Sequence, residues 1–217
     1  MKKIGVLGTG MVGAIIGKRL IELGYTVKMG SRTANNEKAV AWVNANGDNA
    51  STGTFADAAQ FGEIIFNCSK GEIALDVFKL GGIENFKGKT IIDISNPLDF
   101  SKGMPPTLIP AFTNTNSLGE EIQKLLPEAH VVKSLNIVNA EIMVDAQKSG
   151  GYPTMFMSGN SEAAKAETLE ILKQFGWNDV IDLGDISTAR GTEMLLPIWL
   201  RIWMATKNGH FAFKIVR

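Results

Sequence analysis

The sequence predicts an α/β protein with a doubly wound, mainly parallel sheet, and three observations carry that expectation. A glycine-rich stretch, Gly8-Thr9-Gly10-Met11-Val12-Gly13, separates an apolar run from an amphipathic one. Strand-like and helix-like segments then alternate along the chain. A second motif, Gly30-Ser31-Arg32-Thr33, falls about twenty residues after the first, at the end of the second strand-like run.

Residues 3–7 form a short apolar run of the kind expected for a strand buried on both faces. The chain turns at Gly8, Gly10 keeps the turn free of a side chain, and Gly13 lets the next helix pack closely on the strand. That helix is expected over 11–23, where Val12, Ile15, Ile16, Leu20 and Leu23 recur at helical spacing before a stop at Gly24. A strand over 25–29, a helix over 35–45, a weak third strand near Ala50 and a short helix over 54–60 follow. Next come a strand over 63–68, a helix over 70–80 and a strand over 90–94. The Pro-rich stretch 96–110 is too long for a plain connector and reads as a lid or ligand loop. A helix over 117–126 and a sixth strand over 131–135 complete a first unit, 1–138.

The remainder, 139–217, reads as a smaller α/β extension packed on that unit. It holds a strand over 154–158, a helix over 161–175 and a strand over 180–183. It ends in a hydrophobic helix over 187–207, kinked or broken at Pro197. Apolar on nearly every side, this helix suits a core position, a dimer interface or the wall of an acceptor pocket.

A strand, glycine turn and helix in this order suit a dinucleotide pyrophosphate, because the helix N-terminus presents free N–H groups and a positive dipole end. Without a ligand the motif is only a tight turn. Most NAD-binding domains place an acidic residue at the end of the second strand to hold the ribose 2′-hydroxyl. This chain has Ser31 and Arg32 there, a hydroxyl and a planar cation that suit a 2′-phosphate. NADP is therefore the expected dinucleotide of a Rossmann-type domain; the alternative is that Arg32 is a solvated loop residue. Asn36 either adds a contact or lies in the first turn of the next helix.

The fourth, fifth and sixth strands should end near the nicotinamide half, bringing Cys68-Ser69-Lys70, Ser95-Asn96-Pro97 and Asn136 together. Ser69, Asn96 and Asn136 are the expected partners for ribose and carboxamide. Cys68 reads as a small buried residue, and Lys70 as a ligand contact or a solvated helix start. Lys133, inside the sixth strand, reads as edge-exposed or snorkelling. Neither His130 nor His210 sits in a recognisable acid–base constellation, and no metal-ligand spacing appears. No catalytic side chain is assigned, since hydride transfer between two flat rings can proceed by positioning alone.

Composition excludes several classes. Lys plus Arg and Asp plus Glu both total 22, a balance that argues against nucleic acid as a partner. A hydrophobic fraction of 45% supports a substantial core, and a single cysteine allows no internal disulfide. No signal-peptide pattern precedes the first strand, and the longest apolar run, 194–205, is broken by Pro197 and Arg201. A cytoplasmic protein with no membrane contact is expected.

With these motifs in place, the chain resembles the 8-hydroxy-5-deazaflavin (coenzyme F420):NADP oxidoreductase family over its full length. Related domains include the cytosolic oxidoreductase domain of the transmembrane ferric reductases. The resemblance rests on Ile4-Gly5-Val6-Leu7 with the glycine loop, Gly30-Ser31-Arg32, Asp93-Ile94-Ser95-Asn96-Pro97, Val131-Val132-Lys133-Ser134-Leu135-Asn136 and Phe211-Ala212-Phe213-Lys214-Ile215. It implies NADP held by Thr9, Gly10, Met11, Val12, Ser31 and Arg32, with Asn96, Pro97 and Asn136 near the nicotinamide. The position of Asn36 is often basic in that family. The implied reaction is hydride exchange between NADPH and a deazaflavin or flavin-type acceptor, in a protein expected to be a homodimer. An imine or keto-acid reductase and a non-enzymatic NADP sensor are the alternatives.

Overall fold

The computed structural model describes residues 2–217. β1 (Lys3–Leu7) leads through the glycine turn into α1 (Met11–Glu22). Next come β2 (Thr26–Ser31), α2 (Glu37–Asn46), β3 (Ala50–Thr54), α3 (Phe55–Phe61) and β4 (Ile64–Asn67). A 3₁₀ turn at Gly71–Ile73 precedes α4 (Ala74–Gly81), which is followed by β5 (Thr90–Asp93). A small ribbon, β6 (Leu98–Asp99) and β7 (Thr107–Leu108), interrupts the Pro-rich stretch. The chain continues through α5 (Leu118–Leu125), β8 (His130–Ser134) and α6 (Ala140–Val144). It closes with β9 (Thr154–Gly159), α7 (Glu162–Gln174), β10 (Asp179–Asp182) and α8 (Ala189–Thr206).

Eight strands form one sheet in the order β10-β9-β8-β5-β4-β1-β2-β3. The β8–β9 pair is antiparallel and the others are parallel. The order reverses beside β1, so the carboxyl ends of β1 and β4 flank the crevice where open α/β sheets take ligands. The weak third strand is realised as β3 at the sheet edge, and the two strands of the extension lengthen the opposite end of the same sheet.

Side chains alternate between two faces, as strand geometry requires. Ile4, Val6, Ile64, Phe66 and Ile92 pack against α1, α2, α6 and α7. Leu7, Ile65, Ile91 and Val131 pack against α3, α4, α5 and the start of α8. Polar side chains cap the helices that follow strands: Asn36 accepts from the Ala39 amide, and Thr54 and Asp57 form a reciprocal capping box. The expected break at Pro197 does not occur; α8 runs through it as one helix. Its burial is one-sided, with Leu196, Trp199 and Leu200 covered and Ile198 48% exposed. No helix among the described residues is long and apolar enough to cross a membrane.

Candidate functional site

Three glycines shape the turn after β1 in three different ways. Gly8 adopts φ +124°, and a Cβ there would lie 2.8 Å from the Cys68 carbonyl oxygen. A Cβ on Gly13 would lie 2.1 Å from the Gly8 carbonyl oxygen, so only glycine lets α1 start this close to the strand. A Cβ on Gly10 would meet nothing within 4 Å; the space beside it is open, as a phosphate cradle must be. Gly10 is also the N-cap of α1, with no capping side chain and no acidic residue in the first turn. The first amides of α1, together with Thr9, Met11 and Val12 around them, thus remain available to an anion.

The second motif is tied to the first by backbone, the Gly8 amide donating to the Gly30 carbonyl at 3.1 Å. Ser31 is nearly buried, and its hydroxyl donates to the Thr33 carbonyl at 2.6 Å. Arg32 is exposed. The arginines that form ion pairs among the described residues are Arg19, Arg190 and Arg217, which leaves the Arg32 guanidinium without a carboxylate partner. Asn36 spends its side-chain carbonyl on the α2 cap, so only its amide group is left for a ligand. The glycine cradle, the uncapped helix and the unpaired, exposed Arg32 fit what NADP would need.

A cleft of about 690 Å³ opens beside the other end of the loop. One wall comes from Met11, Val12, Ser69, Ser95, Asn96 and Asn136, and the opposite wall from Leu196, Trp199, Leu200 and Trp203 of α8. Met11, Val12, Ser69, Asn96 and Asn136, all read from sequence as site residues, thus meet on one side. They are held rigidly. Asn96 donates to the Asn136 carbonyl at 2.8 Å, and the Asn136 amide returns a bond to Asn96 Oδ1 at 2.9 Å and donates to the Thr192 carbonyl at 3.1 Å. Ser69 donates through both its amide and its hydroxyl to Asn67 Oδ1. Pro97 is buried, and its carbonyl anchors the Pro-rich stretch by accepting from Ile109. From that stretch Leu98 and Phe100 reach the cleft.

The far wall is aromatic. Trp199 is stacked between Trp203 and Phe211, with centroids 6.2 and 5.2 Å away and planes within 22° and 17°. His210 also lines the cleft and lies 3.3 Å from Glu141, an exposed pair that sequence reading missed because 69 residues separate the two. His210, then Lys148, hold the Glu141 carboxyl below its usual range. Lys70 lines the cleft with its side chain 75% exposed, in keeping with the solvated reading. Cys68 is half-buried on the cleft rather than fully buried, and burial first, then the Asp93 charge, push its thiol up.

Lys133 overturns its sequence reading. It is neither at an edge nor snorkelling, because β8 lies inside the sheet between β5 and β9. Its side chain is fully buried, 2.6 Å from Asp93 Oδ2 and 2.8 Å from Glu193 Oε1, and it donates to the Ser95 carbonyl at 2.8 Å. Burial by itself would lower its pKa; the charges and hydrogen bonds of Asp93 and Glu193 outweigh that and leave it raised. A buried strand lysine needs such counter-charges, and both come from elements distant in sequence.

A family model described as NADP oxidoreductase, coenzyme F420-dependent, matches residues 3–97. A solved structure of a candidate F420-dependent NADP reductase from Arthrobacter sp. FB24 superposes with a TM-score of 0.95 at 47% identity, covering 100% of both chains. An F420-dependent NADP reductase of Methanocaldococcus jannaschii is 28% identical over 152 residues, 70% of this chain and 67% of that protein. The rat metalloreductase STEAP3 is 26% identical over 206 residues, which are 91% of this chain. The chain spans only 38% of that protein's length.

Proposed function

The chain belongs to the coenzyme F420-dependent NADP oxidoreductase family, and we propose that it passes hydride between NADP(H) and a deazaflavin or flavin-type acceptor seated in the cleft. The observation that carries this reading is the placing of the aromatic wall around Trp199. It faces the wall that begins at Met11 and Val12, on the dinucleotide loop itself. Trp199 is already stacked by its neighbours, but Trp203 is 38% exposed and lines the cleft, and a flat tricyclic ring is the acceptor shape that suits such a surface. The bound nicotinamide supplies the hydride chemistry. The protein's own part is to hold and to exclude. Arg32 and the amides of α1 grip the phosphates, and the interlocked Asn96 and Asn136 present a fixed polar edge. Leu196, Leu200 and Val138 keep water from the ring faces. Reduction of the acceptor also takes up one proton, and the His210–Glu141 pair at the rim is the group placed to relay it.

Lys133 weighs against the imine or keto-acid reductase alternative. That chemistry needs a proton donor facing the substrate, and this ammonium is held by two carboxylates away from the cleft. The test follows absorbance at 340 nm for NADPH and then NADH, with FMN, FAD, riboflavin and a deazaflavin offered in turn. NADPH-selective oxidation with a tricyclic acceptor is expected. NADPH binding without turnover of any acceptor would favour the sensor instead.

A further inference from the structure

Asn67, Asp93 and Lys133 lie in register across β4, β5 and β8, at the carboxyl ends that face the cleft. Asp93 Oδ1 accepts from the Asn67 amide and from both the amide and the hydroxyl of Ser95. Through Asn67 the row reaches Ser69, and through Ser95 it reaches the cleft directly. On the other side, Glu193 belongs to α8, one and two turns before Leu196 and Leu200 on the same helix face. Its carboxylate also accepts from the Leu118 and Gly119 amides, which fastens α8 to the start of α5. Arg190, three residues earlier, reinforces this with a two-nitrogen bond to Glu120.

We infer that Lys133 is a positioning residue: by joining Asp93 and Ser95 on the cofactor side to Glu193 on α8, its ammonium sets the separation of the two cleft walls, and with it the approach of acceptor to nicotinamide. The inference rests on the acceptor reading of the cleft given above. The buried ammonium makes this connection beside the Asn136–Thr192 hydrogen bond, and the elements it joins carry Ser69, Ser95 and Asn136 on one wall and Trp199 on the other. A buried ammonium with three fixed oxygen partners holds that gap firmly, because each bond is directional and water cannot replace it.

The test is Lys133→Met combined with Glu193→Gln. The buried row keeps one net negative charge, on Asp93, and the glutamine carbonyl still accepts from one of the two amides, Leu118 or Gly119. The expected variant is folded and binds NADPH within about twofold of the parent. Its kcat falls roughly 10- to 100-fold, the effect of a small misplacement of reacting atoms. The primary isotope effect on kcat from 4-deuterated NADPH rises, because hydride transfer becomes slower than release. Amide exchange over 196–206 speeds up while that of α1 does not. An unchanged kcat and isotope effect, or a loss of NADPH binding equal to the loss of kcat, overturns the inference. If the parent turns over no acceptor, the acceptor reading fails on its own, and unchanged exchange over 196–206 in the variant still refutes the bridge. Glu193→Gln alone serves as a second variant should the pair not fold, with a smaller shift in the same readouts.

Discussion

The dinucleotide loop and the far wall of the cleft are built by opposite means. In the loop, six consecutive residues contain nearly all the geometry: one glycine for the turn, one for open space and one for close packing. At the far wall, residues 93, 133 and 193 must meet before α8 has a place, and no two of them are neighbours in sequence. A site coded locally tolerates change nearly everywhere except at its own backbone contacts. A site coded by long-range pairs is sensitive at residues that touch no ligand.

Gly13→Val is the most damaging test of the local half. A Cβ 2.1 Å from a backbone oxygen cannot be relieved by a rotamer change, so a cost of about 3 kcal/mol, the top of the overpacking range, is expected in denaturant unfolding. Gly10→Ala is its control. The open space beside Gly10 predicts a stability change under about 1 kcal/mol, near the cost of a poorer N-cap, with NADPH affinity clearly weakened. Equal effects from the two variants would mean that the glycines share one structural role and that no phosphate occupies the open side.

Arg32→Ala sharpens the comparison from the ligand's side. A hydrogen bond to a charged group contributes about 1.5–3 kcal/mol, so NADPH should bind roughly tenfold to 150-fold more weakly while NADH is unaffected. Titration calorimetry with both nucleotides measures the ratio, and a parallel loss for NADH would remove Arg32 from the 2′-phosphate.

The smallest expected effect lies in the tail that carries Phe211. Lys214 first, then Thr154, with Arg217 adding its charge, hold the Asp179 carboxyl down at about 2. A depressed carboxylate contributes stability above its unfolded value of about 3.9, and that contribution disappears as pH falls through 2. Asp179→Asn should therefore lower thermal stability slightly at neutral pH, where the contribution is fully present, and the difference from the parent should vanish between about pH 4 and pH 2. The pairs are solvent-facing, so added salt should shrink even that difference.

Much of the molecule was legible in its sequence. The strands of the sheet, the glycine turn and the absence of an acid beside Ser31 are short-range patterns, and each reports on the residues that carry it. The extension was legible as segments, but not as a continuation of the sheet, because a strand's partner is chosen by the whole core. Pro197 suggested a break. Helix-breaking propensity gave way to the packing of Leu196, Trp199 and Leu200 against Leu98 and the tail residues Phe211 and Phe213. His210 and Glu141 were invisible as a pair for want of any local spacing.

The clearest gap was Lys133, and a signal for it was present. Asp93 and Lys133 stand inside apolar runs and Glu193 borders one, where a lone charge is too costly to bury without an opposite one. That argument says that such residues need partners; it does not say which ones. By itself, then, the sequence determined the dinucleotide half of the protein, because a backbone turn and a helix terminus are local objects. Only the tertiary structure decided the cleft beside it, since a buried charge row and an aromatic wall exist only once β4, β5, β8 and α8 have come together.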